Sequence, residues 1–394
     1  MQTIYLDNNA TTIIDPLVTK AMLECLNEGY VNPASQHQPG QRARRRLEQL
    51  RVEVASFLGA RTEGMEADRL VITSGGTESN NLAICGLAYM PDGSVPENAR
   101  VLVSAIEHPS VIACSEFLAS KGFDVERVKV DRSGMILVDD LREKLEQKPT
   151  RLVSIMLANN ETGVIQPIQE AAELCRQRGA LMHTDAVQAI GKLDVNFQAL
   201  GVDALSFTAH KFHGPRGVGG LLLRHGLNPF PQVFGGFQQM GTRPGTEDVC
   251  LVTGLAEALR ASAADTERGT RIERLRDHLQ QRIVEGCADI VGLAIHGDQV
   301  ARVPHTLNVS FLGIDRQAFL MSADMNGLAI SSGSACASGS SDPSPVLLAM
   351  GLDGPSVEGS IRISLSAFST LEEVDLAADR IIKISTDLQP QKSG

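Results

Sequence analysis

The sequence lacks three features that mark common classes of binding and membrane proteins. Acidic residues outnumber basic ones, 47 to 36, and the resulting net charge of −11 argues against a nucleic-acid-binding surface. No apolar stretch is long enough to span a bilayer, and the first residues carry no basic and apolar leader, so we expect a cytoplasmic protein without membrane contact. The seven cysteines form no paired CxxC set. This spacing argues against a metal site and a disulfide framework, and it favours reduced thiols.

The chain does have enough apolar residues and length for about two domains, since 43% of its 394 residues are hydrophobic. Short apolar runs predict strands at 70–73, 101–104, 125–130, 152–158, 181–185 and 204–208, and helical spacing is found between them, for example at 109–119 and 167–178. This alternation predicts a mostly parallel sheet covered by helices. Asp15 followed by Pro16 predicts the start of a helix.

After about Gly254 the pattern changes. A long charged helical stretch over 262–285 is followed by strand candidates at 306–311 and 361–364. We therefore expect a large α/β domain over 15–260, and a smaller α+β domain formed by 1–14 together with 261–394.

Two polar residues follow apolar runs in a way that suggests a pyridoxal phosphate (PLP) site. Lys211 stands after a strand-like run and before a glycine-rich turn, where partial desolvation lowers the pKa of an amine and allows a Schiff base. Asp185 ends another apolar run, and an acid of this kind keeps the pyridine nitrogen of PLP protonated. For each residue alone, a solvated loop lysine or a helix cap is the ordinary alternative.

A glycine-rich turn at 73–81 follows a predicted strand and opens a predicted helix. Its glycines allow close approach of the backbone, and the free N–H groups at the start of the helix favour an anion such as a phosphate. A tight turn with Thr77 as the helix N-cap is the alternative.

The motifs of this sequence resemble those of the group I (NifS/IscS-like) cysteine desulfurases. The resemblance spans nearly the whole chain, in the expected order. The motifs are 5–12 (YLDNNATT), 73–81 (TSGGTESNN), 107–108 (EH), 159–161 (NNE), 183–188 (HTDAVQ), 209–211 (AHK) and 331–336 (SSGSAC).

The resemblance implies a fold-type I PLP enzyme with a mostly parallel seven-stranded sheet. It also implies a homodimer that converts L-cysteine to L-alanine and leaves a persulfide on an enzyme cysteine. Such a sulfurtransferase passes the sulfur to an acceptor protein, for iron–sulfur cluster, thio-cofactor or tRNA biosynthesis. A selenocysteine lyase or another class V PLP aminotransferase is the first alternative, and a non-catalytic sulfur-carrier or scaffold subunit is the second.

Each site residue is implied by its place in a matching motif. Lys211 bonds to the cofactor, Asp185 pairs with the pyridinium nitrogen, Gln188 donates to the phenolic oxygen, and His108 stacks on the ring and moves protons. The remaining positions bind the phosphate (Gly76, Thr77, Thr208, His210), the phosphate of the partner subunit (Thr246), and the substrate carboxylate (Asn160, Arg362), with Asn160 also near the phenolic oxygen. The structural alternatives are a helix cap for His108 and an ion pair for Arg362.

Cys336 is the expected nucleophile, carried on a polar loop of the smaller domain. The small residues around it predict an exposed thiol, whereas the other six cysteines lie mostly in apolar contexts and are expected to pack as core. The sequence also departs from the family pattern at several positions. These are Phe237, Gln239 and Met240 in a dimer-facing loop, Pro345, and Ser366 and Ala367 after the substrate arginine.

Overall fold

The computed structural model describes residues 3–333 and 342–389. Cys336, the expected nucleophile, lies outside the described residues. Within them no helix is long and apolar enough to cross a membrane, and no group of three or more His, Cys, Asp or Glu side chains is arranged to hold a metal ion.

The strands of the described chain form three sheets. They are β1 (Ile4–Tyr5), β2 (Arg69–Thr73), β3 (Arg100–Ser104), β4 (Asp124–Val128), β5 (Leu152–Ser154), β6 (Leu181–Asp185), β7 (Ala204–Thr208), β8 (Gly219–Leu223), β9 (Leu293–His296), β10 (Thr306–Phe311), β11 (Leu328–Ala329) and β12 (Ser360–Ser364).

The α-helices alternate with these strands in the first two thirds of the chain. They are α1 (Pro16–Asn27), α2 (Gln38–Phe57), α3 (Gly76–Ala88), α4 (Pro109–Ser120), α5 (Val138–Gln147), α6 (Ile168–Gln177), α7 (Phe197–Leu200), α8 (Val249–Ala264), α9 (Arg268–Cys287), α10 (Arg316–Met325), α11 (Pro345–Ala349), α12 (Gly354–Glu358) and α13 (Leu371–Asp387). Two short 3₁₀ turns cover Ala209–Lys211 and Gln238–Gly241.

The largest sheet has seven strands in the order β2-β8-β7-β6-β5-β3-β4. The neighbours from β7 to β4 pair in parallel, and β8 runs antiparallel to both β2 and β7. The predicted mostly parallel seven-stranded α/β fold is therefore confirmed. Parallel neighbours bring the carboxyl ends of β5, β6 and β7 to one edge, which is where ligands bind in open α/β sheets.

The antiparallel strand β8 was not predicted, because glycines are depleted in strands. Its first residue, Gly219, lies where a Cβ atom would be 2.8 Å from the Cα atom of Gly75 and 2.6 Å from the Phe207 carbonyl oxygen. Glycine is thus required here because the backbone of β8 passes directly beside the turn that opens α3.

Helices cover both faces of the large sheet. Along β3, Leu102 belongs to the core on one face, while Val101 and Val103 belong to the core on the other. Strands that are buried on both faces are typical of parallel sheets.

A separate apolar cluster surrounds the antiparallel sheet β12-β10-β9. Leu307 and Ile363 of that sheet pack with residues of α9 and α13, and Ile4 and Leu6 at the start of the chain join the same cluster. The two groups of clusters are compatible with a larger and a smaller domain. The predicted boundaries at residues 14/15 and 260/261 stay a prediction.

The prediction of one helical stretch over 262–285 was wrong. The chain leaves the helical conformation at Asp265 (φ −100°, ψ 79°), which ends α8, and α9 begins at Arg268. The Asp265 carboxylate accepts from Arg271 Nη2 at 2.7 Å, which links the end of α8 to the first turn of α9. The helix start at Asp15 is confirmed, since the Asp15 carboxylate accepts from the Leu17 N–H at 2.8 Å.

Candidate active site

A cavity of about 450 Å³ opens at the carboxyl ends of β5, β6 and β7, beside the N-terminus of α3. It collects ten of the twelve residues predicted for the site. They are Gly76, Thr77, His108, Asn160, Asp185, Gln188, Thr208, His210, Lys211 and Arg362. Of the other two, Thr246 lines a different cavity, and Cys336 is outside the described residues.

Lys211 lies in the 3₁₀ turn that follows β7 and is half-buried. Its ammonium group donates to the carbonyl oxygens of Asn9 and Ala10, the latter at 2.8 Å. The alternative of a solvated loop lysine therefore does not describe this side chain. The amine is held at the mouth of the sheet by the N-terminal segment.

Asp185 ends β6 and is 4% exposed. One carboxylate oxygen accepts from Asn80 Nδ2 at 2.6 Å, and the other accepts from the Val187 N–H at 2.9 Å. Asn80 Nδ2 also donates to the Ser110 hydroxyl at 2.9 Å. These bonds fix the orientation of the carboxylate in the cavity wall.

His108 caps α4 and lines the cavity at the same time. Its Nδ1 accepts from the Ser110 N–H at 3.1 Å, so the proton of the neutral ring lies on Nε2. Burial lowers the pKa of His108, Asp185 raises it, and the charges of Lys211 and Arg362 lower it further. The interpretation of His108 as a helix cap is confirmed as a contact. The cap uses Nδ1, so Nε2 of the neutral imidazole remains available to a ligand.

Glu107 was quoted in a motif but was given no role from the sequence. Its Oε1 accepts from the Ser104 hydroxyl at 2.5 Å and from the Met156 N–H at 2.7 Å, while Oε2 has no partner among the described residues. Burial raises the pKa of Glu107 to about 8, and the nearby Asp185 adds to the rise. Glu107 is therefore protonated at neutral pH and adds no second negative charge beside Asp185.

The turn before α3 has the geometry of an anion site. Gly75 is the N-cap, with φ 156° and no side-chain cap, so the alternative of Thr77 as N-cap is wrong. A Cβ atom on Gly76 would lie 2.8 Å from Val187 Cγ2, so a larger residue would narrow the cavity here. The uncapped N–H groups and the helix dipole suit a phosphate.

Thr208, the last residue of β7, and His210, just after it, line the same cavity. The Thr208 hydroxyl donates to the Val218 carbonyl at 3.1 Å. His210 Nδ1 lies 3.2 Å from the Thr11 hydroxyl, and burial together with the charge of Lys211 lowers the pKa of His210 to about 4. His210 is thus neutral at neutral pH.

Arg362 reaches the opposite end of the cavity from β12. Its Nη2 forms an ion pair with Asp7 at 2.8 Å, and its Nη1 donates to the Asn160 carbonyl at 3.0 Å. The ion-pair alternative is therefore confirmed as a contact. Arg362 Nε, Asn160 Oδ1 and Asn9 Oδ1 are nevertheless buried without a hydrogen-bond partner among the described residues. Unsatisfied buried polar atoms are costly unless a ligand pairs with them.

The sequence model of the family described as aminotransferase class-V matches residues 4–376. The chain belongs to this family. A curated relative, the cysteine desulfurase IscS of Dictyoglomus turgidum, is 37% identical over 393 residues, which is 99% of this chain and 97% of the relative.

Two solved structures extend the likeness. A NifS-like protein from Rickettsia africae ESF-5 matches with a TM-score of 0.86 at 31% identity, over 97% of this chain and 99% of that one. A structure titled SspA in complex with cysteine matches with a TM-score of 0.77 at 31% identity, over 93% of this chain and 100% of that one. The predicted NifS/IscS-like cysteine desulfurase, an enzyme of the sulfurtransferase type, is confirmed. Class V aminotransferases as a family use PLP.

The loop in which this class V protein departs from the family pattern includes Gln239, and the structure gives Gln239 a specific place. Its side-chain amide pairs with both backbone groups of Ile72, accepting from N–H at 2.7 Å and donating to C=O at 2.8 Å. Gln239 and Met240 have positive φ angles of 48° and 58°. The loop is thus fastened to β2 through an amide, and a glutamate at this position would lack the donor.

Further along the same loop, Arg243 forms an ion pair with Glu78 of α3 at 2.6 Å. Thr246 lines a cavity of about 370 Å³ together with Tyr30 and Cys250. Phe234 and Phe237 are 74% and 84% exposed. This part of the surface therefore carries large apolar side chains that no described residue covers.

The remaining cysteines behave as expected from their apolar contexts. Five are buried, and Cys250 is half-buried. Burial raises the pKa of Cys250 to about 11 and that of Cys175 to about 12. The raised pKa keeps these two thiols protonated at neutral pH.

Proposed function

We propose that this protein is a homodimeric, PLP-dependent cysteine desulfurase that stores the abstracted sulfur on Cys336. The observation that carries the proposal is the single cavity that holds Lys211, Asp185, Gln188 and Arg362 beside the N-terminus of α3. An amine, a buried carboxylate, an anion site and a guanidinium are the groups that an amino acid and PLP require together.

The residues present fit PLP from end to end. The N–H groups at the start of α3, with Thr77, Thr208 and His210, would hold the phosphate, and Asp185 would hold the pyridine nitrogen. PLP, when bound to Lys211, supplies an electron sink for the bonding electrons of the substrate. The fixed Asp185 carboxylate and the neutral Glu107 support this placement, because one negative charge rather than two faces the ring nitrogen.

The substrate we propose is L-cysteine, and the structure titled SspA in complex with cysteine is a related precedent. The Arg362 guanidinium and the side-chain amide N–H of Asn160 would bind its carboxylate, since both are hydrogen-bond donors. Lys211 would take the proton from the α-carbon, and Nε2 of His108 would move protons near the ring.

Cys336 would then attack the substrate sulfur as a thiolate. The carbon–sulfur bond of the substrate breaks, a sulfur–sulfur bond forms, and the carbon that loses sulfur gains a proton, so that the products are L-alanine and a Cys336 persulfide. No external oxidant is required, since the electron pair of the broken bond stays with the carbon.

A second copy of the chain would complete the phosphate site through its Thr246. In support, Thr246 does not line the cavity of its own chain, and the loop that carries it has exposed phenylalanines. A sulfur-acceptor protein would receive the persulfide sulfur for iron–sulfur cluster, thio-cofactor or tRNA biosynthesis.

The decisive experiment exposes the purified protein briefly to L-cysteine, and then maps added sulfur by mass spectrometry while alanine is measured. We expect one added sulfur atom on the Cys336 peptide. In Cys336→Ser, alanine release should fall by about 10³-fold or more, while the visible absorbance of the cofactor persists. The matched control is Cys250→Ser, which removes a half-buried thiol outside the cavity and should retain activity.

Full turnover of cysteine by Cys336→Ser would overturn the role of Cys336. Turnover of selenocysteine or of another amino acid alone, with no persulfide in the wild type, would favour the selenocysteine lyase or aminotransferase alternative. A protein that takes up no PLP would overturn the proposed function itself.

A further inference from the structure

We propose that Lys192 is a positioning residue for Gln188, fixing its side-chain amide so that the N–H group, rather than the carbonyl oxygen, is offered to the phenolic oxygen of PLP. This inference rests on the proposed function, because it concerns the site with PLP bound. Lys192 does not line the main cavity, so it would act only through Gln188.

The two ends of the Gln188 amide have different partners. Lys192 Nζ donates to Gln188 Oε1 at 2.7 Å, and Gln188 Nε2 donates to the Asn9 carbonyl at 3.0 Å. A lysine amine presents donors and a backbone carbonyl only accepts. Since Gln188 is 4% exposed, bulk water does not compete for either end. The amide is therefore held one way round, with its second N–H hydrogen left for a ligand.

The backbone brings Lys192 into this position through a glycine. Gly191 has a φ of 74°, and a Cβ atom there would lie 2.4 Å from Phe212 Cβ. The chain therefore turns sharply against Phe212 after the end of β6. Lys192, four residues after Gln188, points back at the amide.

The surroundings of Lys192 give it no acidic partner. Among the residues described, it forms no ion pair, and its one side-chain hydrogen bond is the bond to Gln188. It lines two cavities. One, of about 20 Å³, has room for about one water molecule, and its other titratable and charged residues are Lys211, His213, Arg268 and His305. The other, of about 450 Å³, also carries Asp194, Asp265 and Arg268, and neither of these carboxylates is within ion-pair distance of Lys192.

Stability alone does not account for this arrangement. Burial lowers the pKa of Lys192 well below its usual value, and the positive charges of Lys211 and Arg362 lower it further. Burying an amine among cations costs free energy. Packing gives the Lys192 side chain no role that offsets this cost, whereas orienting the Gln188 amide does give it a role.

The expected consequence is a change in the acid–base behaviour of the holoenzyme. A hydrogen-bond donor to the phenolic oxygen stabilises the deprotonated form of the chromophore, because that form carries the larger negative charge. When Lys192 donates to the Gln188 amide, the hydrogen bond from Gln188 to the phenolic oxygen is strengthened in turn. Removing Lys192 frees the amide to rotate. In Lys192→Met, the pH midpoint of the visible absorbance should then rise by about one unit.

The test is a spectrophotometric pH titration of the purified holoenzyme. Lys192→Met is compared with wild type, and with Lys121→Met, which removes an exposed lysine at the end of α4 and should leave the midpoint unchanged. If Lys192→Met does not accumulate as folded protein, Lys192→Leu serves as a second truncation, and Lys192→Arg should return the midpoint toward the wild-type value.

A double-mutant cycle distinguishes positioning from a general charge effect. In a Gln188→Leu background, Lys192→Met should produce no further shift, since the amide through which Lys192 acts is gone. An unshifted midpoint in Lys192→Met, or an equal shift with and without Gln188, overturns the inference. A wild-type protein without visible absorbance would instead overturn the proposed function, so the two failures are distinguishable.

Discussion

The two walls of the cavity differ in how completely their polar atoms are bonded. On the wall formed by β6 and the helices α3 and α4, both oxygens of Asp185 accept hydrogen bonds. Behind it on β6, the ring of His183 bonds to the hydroxyls of Ser154 and Ser206 at 2.8 and 2.9 Å. On the wall formed by Arg362, Asn160 and Asn9, three buried polar atoms lack partners among the described residues. Two atoms on or beneath the first wall, Asn80 Oδ1 and Glu107 Oε2, are exceptions.

The difference indicates that the two walls of the cavity have different roles. A saturated network holds its groups in one geometry, which suits a cofactor that stays in place. Unbonded polar atoms suit a substrate that arrives and leaves. Arg362 Nε can donate to a carboxylate, whereas the two amide oxygens can be satisfied only by a donor such as an amino group. We call these the cofactor wall and the substrate wall, and three substitutions test the contrast between them.

The largest effect is expected on the cofactor wall. Asp185→Asn keeps the shape but removes the negative charge that stabilises a protonated ring nitrogen, so alanine formation at saturating cysteine should fall by about 10²- to 10⁴-fold. Steady-state assays of alanine measure it, with Asp194→Asn, an exposed aspartate, as the control. A raised KM with unchanged kcat would contradict the assignment of Asp185 to this wall.

A smaller effect of a different kind is expected on the substrate wall. Arg362→Lys keeps the positive charge but loses the planar fork, so KM for cysteine should rise by about 10-fold or more, with a smaller change in kcat. Titration of apoprotein with PLP should give an affinity close to that of the wild type. Loss of PLP binding in this variant would erase the distinction between the walls.

The smallest effect concerns the protonated carboxyl group under the cofactor wall. The pKa of Glu107 is raised to about 8 by burial and by Asp185, so the folded state binds its proton more tightly than the unfolded chain. The stability that this proton contributes is complete below the unfolded pKa, near 4.3, and is lost as the pH rises toward 8.

Glu107→Gln, which cannot ionise, should therefore gain in melting temperature relative to wild type as the pH rises from about 5 to about 8. Thermal melts at several pH values measure the difference, and Glu63→Gln, on the surface, should show no such trend. A difference that stays constant with pH would mean that Glu107 is ionised in the folded state.

Much of the site was predictable because its residues stand where apolar runs end. Asp185 and Thr208 close two neighbouring parallel strands, so their convergence at one sheet edge follows from the fold class. The strands at 181–185, 204–208 and 306–311 have the predicted bounds. All of their residues except Leu181 are buried.

The rest depends on contacts between distant segments, which a local pattern does not encode. Gly219 is in a strand only because Gly75 lies against it, and the amide of Gln239 is needed only because the two backbone groups of Ile72 face it. The strand predicted over 152–158 ends at Ser154. Beyond it Ile155 and Leu157 still donate to the carbonyl oxygens of His183 and Asp185, and Ala158 forms an isolated bridge. The sequence indicated no role for Lys192, and its spacing from Gln188 was the only feature that could have suggested one.

The N-terminal segment pairs with residues that are synthesised much later, so completion of the site depends on the order of synthesis. Ile4 and Tyr5 pair with Leu328 and Ala329, and Asn9, a few residues later, supplies the carbonyl that holds Lys211. These partners leave the ribosome hundreds of residues apart, so the earliest part of the nascent chain must wait for nearly the latest before the lysine is fixed. Cofactor capture should accordingly come late in synthesis, after residues 328 and 329 have emerged.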